Sequence, residues 1–276
     1  MMKGNSVFHS ISSLVLVVWG LIVALPLTIL ITVTVKSPQD LLKSPFALPE
    51  KWMWSNFAEA WKTANLLTAF GNSLIIAVFS LFGVVLVSAF AAYPIARAKS
   101  KMVNAFYFYF ISGIMIPFQL SMIPLYKLLK ILHLINTHQG VIFIYIAMTI
   151  PFSIFLYTGF LKGIPKELEE SALIDGCGPT RTFLTIVLPL LKPVTASIVI
   201  TNSLTIWNDF LVPLLFLQAR EKRTIPISIF TFTGQYNNNW AMIFSAIVLG
   251  TLPLLITFLL LQKHFIKGIV GGAVKG

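Results

Sequence analysis

The stretch from residue 11 to residue 35 carries no charged side chain at all. A helix needs about 20 apolar residues to cross the hydrocarbon core of a bilayer. A secretory leader has a core of only roughly 7–15 residues. Although Lys3 ahead of this run imitates a leader, its length marks it as a retained first span, and no convincing small-x-small cleavage site follows.

Five more blocks of this kind succeed it. The spans expected are about 11–35, 69–93, 105–127, 140–161, 193–217 and 241–263. Hydrocarbon offers backbone amides no water to bond, so each block must be helical. The short alternating segments of a β-barrel are absent from the sequence. Composition agrees: 57% of residues are hydrophobic and 11% charged. A soluble domain has about a quarter charged and a little under half apolar. The fold class expected is therefore all-α integral membrane, with residues 1–276 forming one domain and neither a long repeat nor a low-complexity stretch.

Six spans place both termini on one side. The net charge is +11, but lysine and arginine divide almost evenly between the two faces. The positive-inside bias therefore votes weakly for cytoplasmic termini. The short, acid-free group Arg97, Lys99 and Lys101 adds support. Because the basic residues lie between apolar blocks, their partners are headgroups or other proteins, not nucleic acid.

Several chemistries lack the residues they need. One cysteine, Cys177, permits no intramolecular disulfide and no multi-cysteine metal site. A phosphate-binding loop requires Gly-Lys, and that dipeptide occurs nowhere. His9, His133, His138 and His264 are never followed by glutamate, so the H-E-x-x-H zinc motif is missing. There is no G-x-S-x-G nucleophile elbow. A membrane enzyme would have little to work with. No cofactor is expected on this chain.

The segment 162–192 is the most informative. Pro165 suits a first helical turn. Glu167, Glu169 and Glu170 then meet the positive end of the helix dipole. Gly176 can adopt the left-handed conformation that stops a helix. A second short helix should begin at Pro179 and stop near Leu188 and Pro189. The small pair Ser171 and Ala172 would leave a smooth face for another protein's groove, or the helix could simply lie on its own bundle.

Glu170-Ser171-Ala172, Asp175-Gly176, Ile186 and Leu188-Pro189 resemble the EAA loop of ABC importer permeases, with Ser171 where alanine is usual. Pro117-Phe118-Gln119, Met122-Ile123-Pro124-Leu125-Tyr126 and Ile150-Pro151-Phe152 are similar to spans of carbohydrate-uptake permeases. So are Trp207-Asn208-Asp209-Phe210 and Pro213-Leu214. The end, from Gln262 through Gly276, is similar to the tail of the maltose-type second permease. The resemblance covers about residues 60–276, with the motifs in family order. It implies an ABC importer permease fold with a cytoplasmic coupling helix, in a bacterial cytoplasmic membrane. Glu167, Glu170, Ser171, Ala172, Asp175 and Gly176 would then form the contact with an ATPase. The implied partners are a second homologous permease in a heterodimer, two ATPase subunits that bind ATP and Mg, and an extracellular sugar-binding protein. The tail from His264 would reach the ATPase pair, or rest on anionic lipid.

A neutral sugar needs hydrogen-bonding groups and aromatic faces on an apolar wall. Tyr145, Thr149, Ser153 and Tyr157 recur every four residues and make a polar stripe on the fourth span. Thr201, Asn202, Thr205, Asn208 and Asp209 mark the fifth, and Gln119 and Ser121 the third, where a bend is expected between Pro117 and Pro124. Gln119, Tyr145, Thr149, Ser153, Asn208 and Asp209 are the candidate substrate path. Each could equally bond one helix to another. Asp209 is the one acid placed within a span, either functional or, near the span's end, bonded to backbone or to the partner permease. A secondary sugar transporter is the alternative, but such proteins hold several intramembrane carboxylates. The outer loop, 36–68, is aromatic and suits either an interfacial belt or an external docking surface. In it Asn56 and Glu59 resemble a capping box.

Overall fold

A computed structural model describes residues 3–234 and 238–273, with side chains described for 12–234, 238–256 and 259. Among these residues the chain is helical throughout, without strands. The helices are α1 (Lys3–Thr34), α2 (Pro38–Lys43), α3 (Ser55–Thr63), α4 (Leu66–Arg97), α5 (Lys101–Ser112), α6 (Phe118–Ile131) and α7 (His138–Lys162). They continue as α8 (Glu167–Ile174), α9 (Pro179–Thr182), α10 (Leu188–Leu190), α11 (Lys192–Asn208), α12 (Leu211–Phe216), α13 (Ile225–Ile229) and α14 (Trp240–Ala273). Phe183–Val187 winds as a π-helix between α9 and α10.

Among the described residues three helices are long and apolar enough to cross a membrane without interruption: Ser12–Thr34 within α1, α4 and α7. Two further candidates are bent. Lys101–Met115 meets α6 at 101°, and Pro179–Leu190 meets α11 at 70°. The apolar stretch Trp240–Ile256 opens α14.

The third expected span, 105–127, is thus two helices and not one. The turn falls at Ile116 and Pro117, both extended in ψ, at 113° and 127°. A residue before proline is pushed out of the helical region by the ring, which explains Ile116. Pro124 lies inside α6 and does not break it. The fifth expected span, 193–217, also divides. Asp209 leaves the helix at ψ 127°, and helix resumes at Leu211.

Two compact units form. One comprises the chain up to Leu67 with Ser228–Leu252. Its polar centre follows α1. Lys36 is fully buried and donates from Nζ to the carbonyls of Ser44 and Pro45 at 2.9 and 3.0 Å. Asn56 does not cap α3 as the sequence pattern suggested. It sits one residue inside that helix, buried, and its Nδ2 donates to the carbonyls of Thr34 and Lys36 at 2.8 and 3.0 Å. A buried backbone carbonyl needs such a partner, and the end of α1 supplies two. Trp52, Trp54 and Phe57 stack in sequence on the surface, with centroids 6.0 and 6.3 Å apart.

The other unit comprises Thr68–Ile227 and the chain from Pro253. Here α7 packs against α11, α5 and α12. Its core gathers Val84, Ala89 and Ala92 of α4, Tyr157 and Leu161 of α7, Phe183 and Val187 of the π-helix, and Val194 and Ile198 of α11. Small residues on α4 let the neighbouring backbones come close, as membrane helix packing requires. That core lies directly beneath the loop helix α8.

Candidate coupling loop and polar helix seam

Helix α8 is short and well ended. Lys166 caps its start, one residue after Pro165, and its carbonyl accepts from the amides of Glu169 and Glu170 at 2.9 and 3.0 Å. Three glutamates occupy the first turn, where the helix dipole favours negative charge. At the other end Gly176 takes φ +81°. Its amide donates to Leu173 and that of Cys177 to Ala172, at 3.1 and 2.9 Å. This paired closure is the Schellman arrangement, which satisfies carbonyls that a helix end leaves open.

The two faces of α8 differ. Glu167, Glu170 and Ser171 are exposed, and Asp175 and Gly176 continue that exposure beyond the helix. Three large apolar side chains accompany them: Leu168, Leu173 and Ile174, the last 86% exposed. Ala172 is buried, so it belongs to the inward face and not beside Ser171 on the outward one. The Ser171 hydroxyl is spent on its own helix, donating to the Glu167 carbonyl at 2.8 Å.

The inward face also carries Glu169, which sequence reading treated only as dipole charge. Glu169 is buried, and its Oε1 accepts from Arg97 Nε at 2.8 Å and lies 2.6 Å from Arg97 Nη2. Its Oε2 accepts from the Tyr93 hydroxyl at 2.8 Å. Arg97 reaches further, donating from Nη1 to the Leu161 carbonyl at 2.9 Å and from Nη2 to the Ile164 carbonyl at 3.2 Å. Tyr93 packs its ring on Phe183, centroids 4.8 Å apart. One signal could have found this pair. Tyr93 and Arg97 are four residues apart and so share a helix face, at the end of an apolar span where a buried arginine needs an acid.

The polar stripe of α7 is a seam. Tyr145, Thr149, Ser153 and Tyr157 are all buried. Thr149 and Ser153 each donate to the carbonyl four residues earlier, at 2.8 Å. Asn202 of α11 donates to Ser153 Oγ at 3.2 Å, and the Tyr157 hydroxyl lies 2.8 Å from Thr195 Oγ1. Tyr145 donates to Asp209 Oδ2 at 2.9 Å. Asp209 thereby sits at the break after α11 and is fully engaged. Its Oδ1 accepts from the Leu211 amide at 2.9 Å, and its Oδ2 also accepts from Val212 at 3.3 Å. Of the two roles open to Asp209, bonding to backbone near the end of a helix is the one present here.

A second polar face of α11 stays open. Thr201, Thr205 and Asn208 are exposed while Asn202, Ile206 and Trp207 are buried. Asn208 makes one bond, from Nδ2 to its own helix at the Leu204 carbonyl, 2.9 Å. Gln119 is exposed in the first turn of α6. The candidate path residues therefore divide: Tyr145 and Ser153 of α7 bond to Asp209 and Asn202, Thr149 is buried beside them and bonds its own helix, and Asn208 and Gln119 are exposed. The tail from His264 runs as helix as far as Ala273, and its side chains lie outside the described residues.

Bent apolar helices around a hydrogen-bonded seam, with a short helix presented from a loop between them, are the architecture of a multi-pass membrane protein. The chain belongs to the family of binding-protein-dependent transport system inner membrane components, which matches residues 84–271. It is similar to the melibiose/raffinose/stachyose import permease protein MelC of Bacillus subtilis (strain 168), at 41% identity over 91% of each chain. It is 37% identical to the probable starch degradation products transport system permease protein AmyC of Thermoanaerobacterium thermosulfurigenes, over 91% of each. The multiple sugar-binding transport system permease protein MsmG of Streptococcus mutans is 34% identical over the full length of both. Among solved structures, the chain superimposes with a TM-score of 0.82 on one from a bacterial ABC transporter involved in the import of the acidic polysaccharide alginate. That match has 19% identity and covers 96% of this chain and 99% of the other. It establishes the ABC importer permease fold. The protein is thus a multi-pass membrane component that works with other subunits of its transporter.

Proposed function

We propose that this chain is one permease subunit of an ATP-driven importer for a sugar or short oligosaccharide. The names of its relatives, melibiose/raffinose/stachyose, starch degradation products and multiple sugars, support that substrate class. The assembly proposed is a heterodimer with a second homologous permease, two ATPase subunits and an extracellular sugar-binding protein. ATP and Mg sit on the ATPase, because this chain has no loop to hold a phosphate. Residues 1–276 act as one permease domain of six spans, with both termini in the cytoplasm.

The observation that carries this reading is the outward face of α8. Leu168, Leu173 and Ile174 stand exposed beside Glu167 and Glu170. In a membrane protein, lipid covers apolar side chains on the spans, but this helix lies in a loop with acidic neighbours. An apolar centre with a charged rim is the anatomy of a protein interface. ATP-driven closure of the ATPase pair would push on this face and pass through α8 into the spans.

The exposed Thr201, Thr205 and Asn208, with Gln119, offer hydrogen bonds toward the sugar. The seam of Tyr145 with Asp209, Ser153 with Asn202 and Tyr157 with Thr195 holds α7 to α11 and its C-terminal break behind them, so that the path is walled by a paired unit. Ile174→Glu tests the docking face. Pull-down of the tagged wild-type chain from its own membranes should retain an ATPase, and the variant should lose it at equal chain abundance. Full retention by Ile174→Glu would remove α8 from the interface.

A further inference from the structure

We infer that Arg97 and Glu169 form a clamp that turns the loop helix into a lever, making Arg97 a positioning residue for coupling. The inference rests on the docking role proposed for α8 and concerns how its motion leaves the loop.

Helix α8 has eight residues and is attached at each end by a turn. Left to those turns, it would pivot when pushed, and the displacement would be lost. Its outward acids, Glu167 and Glu170, do nothing to prevent this, being exposed. Glu169 points the other way. Its carboxylate receives the Arg97 fork on one oxygen and the Tyr93 hydroxyl on the other, all within 2.6–2.8 Å.

Arg97 is the last residue of α4. Besides Glu169, its guanidinium holds the carbonyls of Leu161 and Ile164, at the end of α7 and just beyond it. A guanidinium is planar and permanently charged, so its donors keep fixed directions and it behaves as a bracket. The cation also faces the negative end of the α7 dipole. The side chains of Arg97 and Glu169 are only 14% and 11% exposed, so salt and water screen the pair little. Through the Tyr93 ring on Phe183, the same point reaches the segment that leads into α11. One carboxylate on α8 is thereby tied to the inner ends of α4 and α7 and to the π-helix. A push on α8 must move those ends with it.

Arg97→Lys would keep the charge but lose the planar fork, in which three separate nitrogens reach Glu169 Oε1 and the two carbonyls in fixed directions. Arg97→Lys therefore separates the bracket from the charge, Glu169→Gln removes the anion, and Tyr93→Phe removes one donor and leaves the ion pair. Each complex is purified whole, ATPase retention is measured, and sugar delivered per ATP hydrolysed is read in proteoliposomes with melibiose, raffinose and maltotriose as probes. Arg97→Lys and Glu169→Gln should retain wild-type amounts of ATPase and still hydrolyse ATP. Their sugar delivered per ATP should fall about tenfold, within the range of ordinary coupling free energies. Tyr93→Phe should fall by a smaller factor. An unchanged ratio in Arg97→Lys overturns the inference, as does loss of the ATPase from Glu169→Gln, which would make Glu169 a partner contact. If neither variant accumulates in the membrane, Tyr93→Phe carries the test, and an unchanged ratio there overturns it. Absence of ATPase from the wild-type complex would instead sink the docking role itself.

Discussion

Replacing Gly176 should weaken the loop helix without touching any other side chain. The residue sits at φ +81°, and a β-carbon built there meets nothing within 4 Å. Sterics with neighbours therefore contribute nothing, and the whole cost is backbone. An L-residue in the left-handed region costs about 1–2 kcal/mol. Loss of unfolded-chain freedom returns about 0.4–1 kcal/mol for Gly→Ala, so Gly176→Ala should destabilise the helix end by up to about 1.6 kcal/mol. Gly176→Val should cost more, because a β-branched residue at positive φ is an outlier. Gly176→Asn should cost less, since asparagine visits that region. Gly178 provides the control: a β-carbon there also meets nothing, but its φ is −70°. An eight-residue helix has little stability of its own, so a cost of this size frays its last turn and exposes the Ala172 and Leu173 carbonyls. The assay is sugar-stimulated ATPase activity of the assembled complex, with ATPase retention on purification. The expected order of activity is Gly178→Ala near wild type, then Gly176→Asn, Gly176→Ala and Gly176→Val. If Gly176→Val matched Gly178→Ala in both readouts, the helix stop would have no part in coupling.

Asn208→Ala should lower sugar uptake while leaving the thermal stability of the purified chain within about 0.5 kcal/mol of wild type, since Asn208 is exposed and bonds only its own helix; a large loss of stability would make it structural. Asp209→Asn should do the reverse and lower stability by about 1–3 kcal/mol, because one amide oxygen cannot replace two carboxylate oxygens that accept three bonds; an unchanged melting temperature would refute the seam. Asn56→Ala should cost a similar ~1–3 kcal/mol by stranding the Lys36 carbonyl and leaving that of Thr34 to the Ser245 hydroxyl at 3.3 Å, read as faster proteolysis of the 36–68 loop, and wild-type resistance would contradict it.

The long helices were legible because a bilayer imposes one length and one polarity on whatever crosses it. Residues 69–93 and 140–161 each fall within a single helix, as does 11–35 apart from its last residue. The loop helix was legible for a different reason: its acids, its glycine stop and the second helix from Pro179 are local signals that need no knowledge of neighbours. Gly176 at positive φ is that kind of inference. The bends were harder. In 105–127 the two prolines announced a bend between Pro117 and Pro124 but not its place or size: the chain turns at Ile116 and Pro117, and Pro124 stays inside α6. Side-chain partners were harder still. The stripe from Tyr145 to Tyr157 shows period four, but period four does not say whether the facing surface is water or another helix. Thr195 and Asn202 on α11 and Asp209 just after it decide that, and they lie well along the chain. Glu169 was hidden among three glutamates of one turn, since only the fold brings Arg97 beneath it.

The central claim is that this chain moves sugar only as part of an ATP-driven assembly. The direct measurement is uptake of radiolabelled melibiose, raffinose or maltotriose into proteoliposomes. Those holding the complex purified from its own membranes, with its binding protein outside, are compared with those holding the single chain. The expected result is uptake by the complex that requires ATP in the lumen and persists when ion gradients are collapsed, and none by the chain alone. Uptake by the chain alone, driven by a proton or sodium gradient and indifferent to ATP, would contradict it.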